Sequence, residues 1–336
     1  MSLFAFAPAR GPRWQLALQA ALGIAVPIAA MTLAGAPALG YIAASGAFTV
    51  LHLGALPVVE RARALPLVGA ALIASAALGV CASVNALASS VGLVIVAIVS
   101  AALAFGFRLG PPGPLFFVLV FGLSAHLVGA GGVDGAVYLA AFATGCLFSY
   151  LLSLTPLVLP RVRAKNARPV REILPGPRLS ADGRMLLVRV VLVTAVGVLL
   201  GAVIDQPRTY WVVGSGIAVI GVAAARRTAF QRGVHRMLGT VIGAGAYALL
   251  AALHPAGLWL AALLGVLQFT IEIVVVRHYA LALVFITPLV LLLAGAATGT
   301  IGSMDVALER IVDTLAGAVL GALSGVLHPR SAAPRE

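Results

Sequence analysis

Two carboxylates and an arginine stand inside apolar runs of this chain, and they are the first residues to carry chemistry: Glu272, Asp313 and Arg310. An ionisable group held at membrane depth is costly, and where it occurs it marks an ion or substrate path by default. Asp313 sits about two turns into the apolar stretch 306–327, with Arg310 three residues earlier and Glu309 four earlier. That spacing puts Arg310 and Asp313 on one helical face, so they can pair, and Thr314 extends the polar patch. The pair reads equally as part of a pathway or as a fixed cap on the helix start. Glu272 has Gln268 one turn before it and Arg277 just beyond. It is either a proton-binding carboxylate on a substrate path or an acid tied to Arg277 or to a basic residue of 226–236. His52 and His126 also lie in apolar stretches, where a histidine relays protons or, more commonly, packs with a hydrogen bond.

Other chemistries find no support. The chain has no G-x-S-x-G, no H-E-x-x-H and no glycine-rich phosphate loop ending in Lys-Ser/Thr, so no enzyme and no cofactor is expected. Cys81 and Cys146 form neither a disulfide framework nor a metal set. Most of the 37 glycines fall within apolar runs, where they let helices approach closely. Gly317, Gly321 and Gly325 form one such stripe, which should pack on another helix and turn Asp313 inward.

These residues need elements to hold them, and composition says which. Of 336 residues, 62% are hydrophobic and 10% charged, too greasy a balance for a water-soluble surface. A helix needs roughly 20 apolar residues to cross a bilayer, and twelve candidate spans follow: 14–34, 38–58, 65–83, 88–107, 114–130, 136–159, 185–204, 209–225, 237–254, 257–276, 279–297 and 306–327. Pro27, Pro114 and Pro288 should mark kinks or span ends. The net charge of +12 sits between spans, so it sets topology and does not bind nucleic acid. With both termini cytoplasmic, Arg10, Arg13, Arg61, Arg63, Arg108, Arg226, Arg227, Arg232, Arg236, Arg277, Arg330 and Arg335 all face inside. So do the eight basic residues counted with the central linker: Arg161, Arg163, Lys165, Arg168, Arg171, Arg178, Arg184 and Arg189. Only Arg208 and Arg310 of the 22 Lys and Arg then fall outside.

The chain divides at the proline-punctuated basic segment into a first membrane repeat (1–159), a cytoplasmic linker (160–184) and a second repeat (185–330). Ala44-Ser45-Gly46 lies over Gly214-Ser215-Gly216, Arg61 over Arg232, Arg108 over Arg277, Asp134 over Asp305 and Pro160 over Pro329, all offset by about 170 residues. Two six-helix repeats in parallel orientation, in an all-α polytopic membrane protein, are the expected fold.

The second half carries a resemblance. Tyr210-Trp211-Val212 opens one span. The run His235-Arg236-Met237-Leu238-Gly239-Thr240, continuing to Gly243-Ala244, opens the next. Further on come Arg277-His278-Tyr279-Ala280 and Arg310-Ile311-Val312-Asp313-Thr314-Leu315-Ala316-Gly317-Ala318. Over 185–330 this order resembles the fusaric acid resistance (FUSC) family and the aromatic acid exporters related to it. His235 stands where that family usually has Gln, and the first half lacks the Gly-Thr element. The resemblance implies export of small organic, chiefly aromatic, anions across the inner membrane, driven by protons. It leaves open a passive anion channel on the same module. A non-transporting scaffold whose basic linker recruits partners or anionic lipid is a third reading. The partners implied are the bilayer, the anion and protons; homo-oligomers are compatible with all three. Arg236 is expected chiefly as a topology anchor, with attraction of anionic substrate as its second role.

Overall fold

The computed structural model describes residues 11, 13–204, 208–222 and 225–328; Arg10, Pro329, Arg330 and Arg335 lie outside the described residues. The described chain is all-helical. In order come α1 (Trp14–Leu33), α2 (Pro37–Ala44, tightening to a 3-10 turn over Ser45–Thr49), α3 (Val58–Ala82), α4 (Ala86–Gly106), α5 (Leu115–Gly129) and α6 (Gly135–Leu154). The linker holds two single turns, α7 (Pro160–Arg163) and α8 (Val170–Ile173). Then follow α9 (Ala181–Ile204), α10 (Thr209–Ile220), α11 (Arg226–Ala251), α12 (Gly257–Val274), α13 (Tyr279–Thr298) and α14 (Met304–Ser324).

Among the described residues nine helices are long and apolar enough to cross a membrane, and the protein is a polytopic membrane protein. Each of the twelve expected spans coincides with a helix, but three are short. α2 with its 3-10 turn, α5 and α10 cover 13, 15 and 12 residues, or about 18–22 Å at 1.5 Å per residue, against a hydrocarbon core of about 30 Å. Local chemistry explains each. Pro114 caps the start of α5, Gly221 turns the chain out of α10 at φ 57°, and the Ser45-Gly46 turn ends α2. The break at Ser83-Val84-Asn85 is real, because the Asn85 side chain accepts from Ala88 N at 2.8 Å and starts α4.

Truncated helices leave carbonyls that lipid cannot satisfy. Two arginines expected in loops take that task instead. Arg61, in the first turn of α3 and buried, donates to Val50 O at 2.8 Å just past α2. Arg232 in α11 donates to Ala218 O at 2.7 Å and Val219 O at 3.1 Å at the end of α10.

The packing has a correspondence between the halves. α1 packs on α12 and α9 on α4, so each half's first helix meets the other half's fourth. Likewise α3–α5 answers to α11–α13, α3–α6 to α11–α14, and α2–α6 to α10–α14. Outward faces are apolar: Leu33, Leu87, Val203 and Leu249 are each at least 73% exposed. Water would disfavour such a surface and lipid requires it. α10 runs through the middle, every described side chain but Trp211 buried.

Candidate functional site

α10, α11, α13 and α14 enclose a cleft lined by Trp211, Arg236, Thr240, Thr287, Arg310 and Thr314, with Leu283, Ile286, Val290, Leu291 and Ile311 as its apolar wall. Five of these polar residues are ones the sequence singled out as site or motif residues; Thr287, beside Pro288, joins them through its side chain. The cleft measures about 30 Å³, room for two or three waters at roughly 10–15 Å³ each but not for an organic anion.

Glycines bring its walls together. A Cβ on Gly317 would lie 2.2 Å from Val212 O, and one on Gly321 2.5 Å from Gly216 O, so α14 and α10 touch backbone to backbone. Gly239 does the same for α11 against Ala280 of α13, and a Cβ on Gly243 would meet the Thr287 side chain at 2.7 Å. The helices therefore cross closely enough for side chains from all four to converge.

Arg310 is the centre of the arrangement. Its guanidinium lies 4.9 Å from the Trp211 ring and donates from Nη1 to Tyr210 Oη at 3.1 Å. Trp211 Nε1 donates to Thr314 Oγ1 at 2.8 Å, and that hydroxyl donates to Arg310 O at 2.8 Å. A guanidinium stacked on indole keeps its charge available in an apolar setting. Arg236 is turned inward as well: Nη2 donates to Ser215 Oγ at 3.1 Å and Nη1 to Tyr279 Oη at 3.2 Å. Tyr279 is sandwiched further by Arg232, whose guanidinium stands 4.5 Å over its ring.

Asp313, only 4% exposed, has its ion pair with Arg208 at the N-terminal end of α10 (Nε to Oδ2, 3.5 Å). Arg208 also pairs with Glu309. Asp313 remains a charge within electrostatic reach of Arg310, but the direct contacts differ from the spacing: Arg310 turns to the aromatics, and the acid meets an arginine about a hundred residues away in sequence. Glu272 and Gln268 sit apart from the cleft, buried on α12 against α1. Gln268 Nε2 donates to Glu272 Oε1 at 3.2 Å, and Arg13 Nη2 reaches Oε2 at 3.2 Å. The partner comes from the first half of the chain and is neither Arg277, which is exposed, nor a residue of 226–236.

His52 packs between helices, 5.4 Å from Phe117, with Nδ1 2.8 Å from Phe48 O. His126 stands 6.1 Å from the Tyr210 ring, behind the cleft. Arg189 departs furthest from expectation. Counted with the linker, it is 0% exposed within α9 and donates from Nε to Ser324 Oγ at 3.1 Å, while neither Nη has a hydrogen-bond partner. An apolar setting on both sides of position 189 was the available signal.

The first half keeps the glycine crossing but not the polar lining. A Cβ on Gly145 of α6 would lie 1.9 Å from Ala43 O of α2. About 172 residues before Arg310 and Thr314, though, stand Tyr138 and Phe142, both buried in the apolar core.

Residues 192–324 match the family described as fusaric acid resistance protein-like. Over 120 residues the chain is 32% identical to the uncharacterized membrane protein YvaC of Bacillus subtilis (strain 168), a match covering 36% of this chain and 19% of that protein. The chain thus spans about a fifth of the length of that curated relative. No solved structure matches it. The cleft residues Trp211, Arg236, Thr240, Thr287, Arg310 and Thr314 all lie within the matched segment.

Proposed function

We propose that this membrane protein, whose residues 192–324 match the fusaric acid resistance protein-like family, is a secondary transporter that exports small organic anions across the inner membrane. One observation carries the reading. Two arginines, Arg236 and Arg310, line a cleft between α10, α11, α13 and α14 that is walled by indole and threonine hydroxyls. Intramembrane cations turned toward a cavity favour a negatively charged occupant. Guanidinium groups bind carboxylates in fixed geometry, and the Trp211 ring offers a face to an aromatic substrate. Because a cleft of about 30 Å³ is too small for such a molecule, transport requires α10 and α14 to move relative to α11 and α13. That favours a carrier over an open channel. The matching helix packing of the halves supports a duplicated architecture, and the concentration of Lys and Arg between alternate spans supports cytoplasmic termini and linker. Proton coupling falls to Glu272 or Asp313, the buried acids other than Glu60, which Arg168 clamps through both carboxylate oxygens.

Proteoliposomes test this directly. Loaded with a panel of aromatic acids, they should accumulate or expel substrate against its gradient when a pH difference is imposed. Arg310→Lys keeps the charge and loses the stacked fork, so it should raise KM strongly. Glu272→Gln should abolish the pH-driven component while leaving exchange intact. Equilibration without accumulation would make the protein a channel, and absence of any flux would leave the scaffold reading.

A further inference from the structure

The linker is the longest basic segment in the chain, and transport of an anion through the cleft does not use it. Its position is set by four contacts. Arg168 grips Glu60, in the first turn of α3, with Nε to Oε1 and Nη2 to Oε2 both at 2.8 Å. Arg63 returns the grip, donating from Nη1 to Ala167 O at 2.9 Å and Arg168 O at 3.0 Å. Arg178 N donates to Gly106 O at the end of α4. Ile173, Leu174 and Leu179 pack against the core below. The segment itself leaves the end of α6 and enters the start of α9. Four membrane helices thus present the same end to one strap, which lies flat across that face.

A strap in that position holds its side chains at headgroup depth. Arg161, Arg163 and Lys165 follow directly on α6, all three exposed. They sit beside Val158, 78% exposed, and Leu159, 43% exposed, which precede them. Glu60 neutralises Arg168, and Glu172 stands a turn further along, next to Arg171. Apolar residues that enter the interface, followed at once by uncompensated cations, match an acidic lipid surface.

We infer that residues 158–165 form a binding site for anionic phospholipid headgroups, with Arg161, Arg163 and Lys165 on the phosphate and Val158 and Leu159 in the acyl boundary. The strap is held in place by Glu60 so that these cations face the bilayer.

The test uses the full chain with Cys81→Ser, since Cys81 is exposed and Cys146 buried, and an environment-sensitive dye on Ala164→Cys. In nanodiscs containing phosphatidylglycerol the emission should shift to the blue relative to pure phosphatidylcholine, and raised salt should reverse the shift. The triple change Arg161→Gln, Arg163→Gln, Lys165→Gln should remove the shift and weaken phosphatidylglycerol retention in native mass spectrometry by about a hundredfold, at roughly fivefold per basic residue. Arg226→Gln with Arg227→Gln, exposed charges on another segment, should leave the shift intact. Equal emission in both lipids would overturn the site. So would equal loss in the two charge variants, or a shift reproduced in neutral nanodiscs by inorganic phosphate alone.

Discussion

Gly317→Ala adds one methyl group at the closest helix crossing of the cleft. That methyl would stand 2.2 Å from Val212 O, 2.6 Å from Ser215 Cβ and 3.0 Å from Gly216 N. Ordinary contact begins near 3.4 Å, so α14 must retreat from α10 by about 1.2 Å, since backbone atoms cannot rotate aside as a side chain would. Overpacking of this kind costs about 1–3 kcal/mol. The same displacement stretches the 2.8 Å Trp211–Thr314 hydrogen bond past bonding distance, adding about 1 kcal/mol. The sum is a loss of about 3 kcal/mol. Gly245→Ala is the control: it lies on α11 with nothing within 4 Å of its Cβ, and should gain about 0.5–1 kcal/mol from the stiffer backbone. Denaturant titration of detergent-purified protein, followed by tryptophan emission, measures both. Flux in proteoliposomes should fall for Gly317→Ala beyond what lost protein explains, because Arg310 and Thr314 move with α14. Equal stability of the two alanine variants would refute the close crossing and the route by which it shapes the cleft.

Two further outcomes follow from the buried charges. Asp313→Asn removes one partner of Arg208; a broken buried pair costs about 3–5 kcal/mol, and here the loss should fall at or below the low end because Glu309 still holds Arg208. Adding Arg208→Gln should restore part of the melting temperature, whereas Arg310→Gln should not, which separates the observed pair from the one that spacing suggests. Arg189→Met should leave melting unchanged or raise it, since apolar replacement of a buried charge is often neutral or stabilising by about 1–4 kcal/mol and both Nη atoms of Arg189 lack protein partners. Lower melting in Arg189→Met would show that buried water or an ion satisfies them.

Hydropathy and charge are properties of short windows, and the bilayer acts on short windows. That is why the helical class, the positions of the apolar helices and the inward face of the Gly317–Gly321 stripe are legible in the sequence itself. The motif residues Trp211, Arg236, Thr240, Arg310 and Thr314 are legible too, but only as separate stretches up to about a hundred residues apart. Their meeting in one cleft depends on which helices cross at Gly239, Gly243 and Gly317: glycine spacing marks a crossing, but no local pattern names the partner helix. The same limit explains the misplaced charges. An arginine near a span end looks like a topology anchor whether it meets water or turns inward to a truncated helix, as Arg61 and Arg232 do, or to Ser324, as Arg189 does. Helical spacing offered Arg310 to Asp313 and Arg277 to Glu272, because those are the neighbours along the chain. Tertiary packing brought Arg208 and Arg13 instead. A buried charge takes the partner nearest in space, and in this bundle that partner comes from another helix.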